Sequence, residues 1–246
     1  MENGIMSPSS PCYKRILLKL SGETLRNPET KQNLDADVIH DVAVQIKAVR
    51  DAGVEVALVV GGGNIYRGLA GEKHGISRSQ GDYMGMLATC INSLALQATL
   101  EQMGVETRVM SAITMPRVAE PFIVRRAIRH LQKGRVVIFA AGTGNPFFTT
   151  DSAAALRASE IDADCVMKGT KVDGIYDKDP VEYPDAVRFE TLTYQEAISR
   201  QLKVMDTAAF SLCHENHIPI VVFNFFKPDE LKRVVDGENV GTRIQE

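Results

Sequence analysis

The 246-residue chain has no tryptophan, only 6% aromatic residues and four cysteines. Cys12, Cys90, Cys165 and Cys213 are far apart and form no CxxC pair, which argues against a disulfide framework or a zinc cluster and predicts free thiols. Charge of one sign is also scarce. Twenty-eight Lys and Arg stand against 31 Asp and Glu, a formal net charge of −3, so the chain has no basic field for general nucleic-acid binding. No stretch of about 18 apolar residues is available to span a bilayer. The first dozen residues, MENGIMSPSSPC, lack a cationic start followed by an apolar segment; they read as a loose tail in a protein that stays in the cytoplasm. Neither GxGxxG nor GxxxxGK[ST] occurs, so any nucleotide chemistry needs an architecture other than the Rossmann or Walker loops.

What is present is enough chain for one large core. At 44% hydrophobic and 24% charged, residues 13–246 read as a single globular domain. Apolar runs alternate with amphipathic segments. Tyr13 to Gly22 reads as a strand; Val38, Ile39, Val42, Ile46 and Val49 recur at helical spacing between Asp35 as N-cap and Gly53 as stop. VEVALVV then reads as a strand buried on both faces. Residues 82–103 predict a long helix with Asp82 as its default acidic N-cap, VETRVMSA a strand, and PFIVRRAIRHLQKG a helix with Arg125, Arg126 and Arg129 on a solvated face. Strand–helix alternation continues to the closing GTRI. The pattern predicts an α/β fold with a mainly parallel sheet and helices on both faces, its ligands gathered at the carboxyl ends of the strands.

Three of those strand exits are rich in glycine. The most telling is RVVIFAAGTGNPFFTTDSAAALR, residues 135–157, in which a β-branched strand empties into a glycine–threonine loop and Asp151 opens an alanine-rich helix. Free N–H groups at such a helix start favour a phosphate, and glycines let the backbone come close to it. Thr143, Thr149 and Thr150 add hydroxyls, Asn145 an amide, and Phe147 and Phe148 flat apolar surface for a base. An ordinary strand-to-helix turn, capped by Thr150 or Asp151 with both phenylalanines in the core, is the competing reading. The second exit, GGGNIYRG, could fold around an oxyanion with Arg67 as a forked cation, or be a tight turn with a surface arginine. At the first, Lys19 precedes a Ser-Gly turn and could present its ammonium to phosphate oxygens. After the Asp151 helix, Thr170, Tyr176 and Asp179 either border an adenine and ribose or belong to a polar hairpin. His214 and His217 lack a nearby third ligand for a metal.

YKRILLKLSGE, VVGGGNIYRG, GDYMGMLAT, AGTGNPFFTTD, TKVDGIYDKDP and LKVMD together resemble the bacterial uridylate kinase branch of the amino acid kinase family, from about Tyr13 to the C-terminus. The resemblance implies a three-layer α/β/α sandwich and Mg²⁺-assisted transfer from ATP to UMP in a homohexamer, serving pyrimidine nucleotide synthesis. By motif, it implies that Lys19, Leu20, Ser21, Gly22, Gly63, Arg67, Thr170, Tyr176 and Asp179 meet ATP. Gly62, Asp82 and the run Thr143, Gly144, Asn145, Pro146, Phe147, Phe148, Thr149 and Thr150 would meet UMP. Asp151 would organise the catalytic Lys19, with Lys168 as a second phosphate-side cation; Mg²⁺ would come with the ATP phosphates. UTP is implied as an inhibitor. GTP activation is less firmly implied, because NPETKQN stands where many Gram-negative relatives have a glycine-rich stretch. The alternatives are a sister kinase acting on a carboxylate such as acetylglutamate, aspartate or glutamate, and an oxyanion-storage relative.

Overall fold

The structure, a computed structural model, describes residues 11–67, 75–202 and 204–246. Most of the expected tail (residues 1–10), Gly68 of the GGGNIYRG motif and Lys203 of LKVMD lie outside the described residues.

Among the described residues nine strands form one sheet. In chain order they are β1 (Arg15–Leu20), β2 (Glu55–Val60), β3 (Thr107–Ser111), β4 (Glu120–Pro121), β5 (Val136–Ala140), β6 (Cys165–Thr170), β7 (Thr191–Thr193), β8 (Ile220–Asn224) and β9 (Thr242–Gln245). Their spatial order is β4-β3-β5-β2-β1-β6-β8-β9-β7. All neighbours pair in parallel except β8 and β9. The central strands β1, β2 and β5 are buried along nearly their whole length, as expected when helices cover both faces. Two cores result. Ile16, Leu18, Leu58 and Ile138 pack on one face of the sheet, and Leu17, Ala57, Val59, Val137 and Phe139 on the other, following the two-residue alternation of a strand.

The helices are α1 (Ala36–Asp51), α2 (Arg78–Gln102), α3 (Val124–Gln132), α4 (Thr150–Glu160), α5 (Tyr194–Ser199), α6 (Thr207–Glu215) and α7 (Glu230–Val235). Asp35 caps α1 through the N–H groups of Asp37 and Val38, and the chain leaves through Gly53 at φ +92°, as the sequence predicts. Helix α2 starts four residues earlier than expected. Ser77 and Gln80 form a capping box, which satisfies the first N–H groups and places Asp82 inside the helix, so Asp82 is not the cap. Helix α4 is capped by Thr149, not by Thr150 or Asp151: the Thr149 hydroxyl accepts from the N–H groups of Asp151 and Ser152. All four cysteines are free thiols. Cys12 is already tied to the domain, its N–H donating to Val235 O at 2.9 Å. Among the described residues no helix is long and apolar enough to cross a membrane.

The glycine-rich exits meet at one rim. Gly61 N–H donates to Leu20 O at 2.9 Å. A Cβ on Gly22 would collide with Asn64 Oδ1 and approach Gly61 O at 2.6 Å, and one on Gly62 would meet Gly85 O at 2.7 Å and Ala88 Cβ at 2.8 Å. Here backbone-to-backbone contact demands glycine. Fully buried Asn92 fastens the rim: its amide donates to Gly61 O at 2.6 Å and to Asn64 Oδ1 at 2.8 Å, and Asn64 returns a bond at 3.1 Å. Asn92→Ala strands a buried carbonyl and a buried amide, so it should lower the unfolding free energy by about 2 kcal/mol. An unchanged denaturation midpoint would show that the amide pair does not hold the rim.

Candidate active site

Lys19 and Lys168 are register partners on the adjacent strands β1 and β6, so their side chains leave the sheet on the same face. Between their ammonium groups lies Asp151, in the first turn of α4. Lys19 Nζ is 2.6 Å from Asp151 Oδ1, a close ion pair. Lys168 Nζ donates to Asp151 Oδ2 at 2.8 Å and to Val204 O at 2.6 Å. Because Thr149 does the capping, the Asp151 carboxylate is left for the two lysines.

All three side chains are largely shielded from water, and the electrostatics follow. Burial pushes the Asp151 carboxyl up, but Lys19 and then Lys168 outweigh it and hold the group below the usual carboxylate range. Burial draws the Lys168 ammonium below the ordinary lysine range; Asp151 opposes that shift and the charge of Lys19 adds to it. Lys19 and Lys168 set two ammonium groups at the strand ends, where phosphate oxygens could be received, with the charge of Asp206 also acting on Lys168.

Beside the triad is a cleft of about 130 Å³. Gly62 and Gly63 form one wall, Asp82, Gly85 and Thr89 of α2 another, and Thr143, Asn145, Phe148, Thr149 and Thr150 a third. Of the acceptor residues implied by resemblance, Gly144, Pro146 and Phe147 are not in its wall. Gly144 turns the loop at φ +80°, against Ala112. Phe147, itself at φ +72°, donates its N–H to Asp82 Oδ2 at 2.8 Å, while Arg78 Nε holds Asp82 Oδ1 at 3.1 Å. Phe147 is 69% exposed and Phe148 55%, which removes the reading that places both in the core. Gly61, next in chain to the cleft wall, is also near the Thr150 hydroxyl, which would be 3.6 Å from a Cβ there.

The donor-side residues are more dispersed. Ser21 caps the short 3₁₀ turn Gly22–Leu25, and Leu20 is fully buried. Arg67 grips Glu23 at 2.6 Å and reaches Gly63 O at 3.2 Å. Thr170 ends β6 with its hydroxyl donating to Val172 O at 2.7 Å. Tyr176 bridges Arg188 in a short antiparallel contact, and exposed Asp179 accepts from Val181 N–H at 2.9 Å. A cleft of about 510 Å³ opens between the Gly22–Leu25 turn and the ends of β6 and β8, lined by Glu23, Arg26, Lys31, Lys171, Asn224 and Phe226. None of the implied donor residues is in that wall, though Gly22 and Thr170 are next in chain to residues that are.

Residues 14–224 match the model of the amino acid kinase family. The chain belongs to the amino acid kinase family. Among solved structures it is similar to the UMP kinase from Bacillus anthracis (TM-score 0.92, 40% identity, covering 95% of this chain and 96% of that one). It is also similar to the UMP kinase from Ureaplasma parvum (0.89, 38%, 95% and 99%) and, more distantly, to the uridylate kinase from Archaeoglobus fulgidus (0.71, 30%, 93% and 99%).

Some residues of this site were not singled out from sequence. Asp206 caps α6 and accepts from the hydroxyls of Thr149 and, at 2.9 Å, Ser152, so it fixes the start of α4; its place in LKVMD was the available signal. Thr89 accepts from Ala141 N–H at 2.8 Å, holding the third glycine exit to α2 with Ala141 at φ +62°. His214 stacks on Tyr194 and His217 pairs with Glu246.

Asp151→Asn removes the carboxylate that both shielded ammonium groups contact, so it should cost about 3 kcal/mol or more near neutral pH. Because the folded-state pKa of Asp151 is depressed, its stabilisation is present above the unfolded carboxylate range and is lost as pH falls through the folded value. The difference between wild type and variant should therefore shrink in acid. A difference that stays constant from pH 7 to pH 3 in urea unfolding would contradict this account.

Proposed function

We propose that the chain transfers the γ-phosphoryl group of ATP to UMP, giving UDP. The observation that carries this reading is the Lys19–Asp151–Lys168 cluster beside a cleft walled by Gly62, Asp82 and the threonine loop. The high similarity to UMP kinases over 95% of the chain supports it. The acceptor phosphate has a second pKa of about 6, so near neutral pH its oxygen is already a competent nucleophile and no general base is required. The protein's task is to align two phosphates and to absorb charge in the transition state.

In that role Lys19 meets the phosphoryl group in flight, and Asp151 fixes its ammonium. Lys168 balances the carboxylate from the other side, and its hydrogen bond to Val204 O holds it in place. Asp82 orients the acceptor sugar while tying the 147 backbone to α2. Among the described residues no group of three or more metal-ligating side chains occurs, and Asp151 and Asp206 are both already engaged. This donor set fits Mg²⁺ held through nucleotide phosphates and water, without a protein cage. When bound, the ion neutralises charge on the transferring phosphoryl group.

We place this activity in the cytoplasm, in pyrimidine nucleotide synthesis, with UTP as inhibitor. Tyr83, Met84, Leu87 and Ile91 lie exposed along α2, a face suited to subunit contact in a homohexamer.

A coupled assay with UMP, CMP, dCMP, acetylglutamate, aspartate and glutamate as acceptors should give turnover with UMP above the rest. Turnover with an amino acid and none with UMP would replace this reading by the sister kinase. Lys19→Ala should lower kcat a hundredfold or more, on the scale of about 3 kcal/mol for a lost transition-state contact, and leave UMP-induced thermal stabilisation intact. Near-normal turnover would remove Lys19 from the chemistry. Asp82→Asn should act mainly on the KM for UMP, and an unchanged KM would count against its role at the sugar.

A further inference from the structure

Gly85 lies inside helix α2 (Arg78–Gln102), where glycine destabilises relative to alanine because it has more backbone freedom to lose on folding. Nothing in the free protein asks for it. Its backbone is ordinary helix without a positive φ, and a Cβ built on it would meet nothing within 4 Å among the described residues. Gly62, across the contact, is different: a Cβ there would meet Gly85 O at 2.7 Å. Close packing therefore explains Gly62 and leaves Gly85 unexplained.

The side of the helix on which position 85 stands supplies the reason. Helical spacing puts it on the inward face with buried Gly81, Thr89, Asn92 and Leu96. Tyr83, Met84, Leu87 and Ile91 take the exposed side, so the apolar face suited to subunit contact is not the one that Gly85 serves. A position that faces inward and touches nothing faces a cavity. That cavity is the cleft of about 130 Å³, whose wall includes Gly81, Asp82, Gly85 and Thr89 of this one helix. Gly85 is itself partly exposed, so the space in front of it is open to a ligand. In a cleft of this size a methyl group would be a sizeable intrusion.

We propose that Gly85 is a specificity-determining residue for the acceptor: its missing side chain leaves the room in which the ribose of a nucleoside monophosphate lies against the helix backbone. Asp82, one turn earlier in the same wall, is the carboxylate proposed for the sugar hydroxyls, so the ribose is the part that reaches Gly85. This assignment rests on the UMP kinase reading, and the test separates the two. Gly85→Ala adds one methyl group. The free variant should unfold about 3 °C above wild type, because alanine is the better helix residue. Its KM for UMP should rise about tenfold while its KM for ATP stays within about twofold, and UMP should raise its unfolding temperature less than it raises that of wild type. Stability gained while acceptor affinity is lost marks space kept for a ligand, since a general structural defect lowers both. An unchanged KM for UMP overturns the assignment. A free variant that unfolds below wild type also overturns it, by revealing a neighbour already in that space, as does an equal rise in both KM values, which would show a distorted rim. If wild type itself neither turns over UMP nor is stabilised by it, the acceptor reading has failed and the assignment falls with it.

Discussion

One buried carboxylate shared by two lysines governs the geometry of the rim. Asp151 must remain ionised among apolar neighbours, and only two cations at close range make that affordable. The requirement constrains both strands. β1 and β6 must be adjacent and in a register that puts Lys19 opposite Lys168; a slip of one residue would send one of them through the sheet to the other core. It constrains the helix as well, since a carboxylate used as N-cap could not also turn toward the lysines. Thr149 takes the capping task, and Asp206 in turn fixes Thr149 and Ser152. The cluster thus links β1, β6, α4 and the segment leading into α6.

The glycine exits meet a different demand, which is close approach. Gly22 against Gly61 and Gly62 against α2 leave no room for a Cβ, and the backbones so joined need their polar groups satisfied away from water. Asn64 and Asn92 meet that need on one side of the rim, and Thr89 meets it for Ala141 on the other. These contacts are largely buried and make the rim stiff. A stiff rim suits a site whose contribution to phosphoryl transfer is alignment, because misplaced phosphates lose most of the benefit of fixed dipoles.

The parts legible in the sequence were those with short-range causes. Helix α1 announced itself through Asp35, its apolar spacing and Gly53, and the parallel sheet through continuous apolar runs ending in glycine. Motif resemblance brought out Lys19, Asp151 and Lys168, and the structure puts them in contact. What sequence spacing left hidden was set by distant partners. Ser77 could not be told from Asp82 as the start of α2 without the Gln80 side chain folded back on it. Thr149 became the cap because Asp151 was drawn off by lysines more than a hundred residues upstream and 17 downstream. Asn92 and Thr89 look like ordinary helix residues in a sequence, and their importance appears only when Gly61 and Ala141 are brought to them by the sheet.

The two sides of the rim differ in a way that bears on how the site treats its two nucleotides. The cleft beside the threonine loop is small and its walls are tied together: Asp82 joins α2 to the 147 backbone, and Thr89 joins α2 to the end of β5. Beyond the Gly22–Leu25 turn a larger cleft opens toward the ends of β6 and β8, and Glu23 in its wall is shared between Arg67 and Arg26. Burial raises the Glu23 carboxyl, but the two arginines outweigh it and keep the group ionised and in place. An anionic ligand entering that cleft would compete with Glu23 for Arg26, so binding there would rearrange an ion pair, whereas a ligand in the smaller cleft meets walls already fixed. Selectivity is therefore expected to be built into the smaller cleft, and adjustment into the larger one.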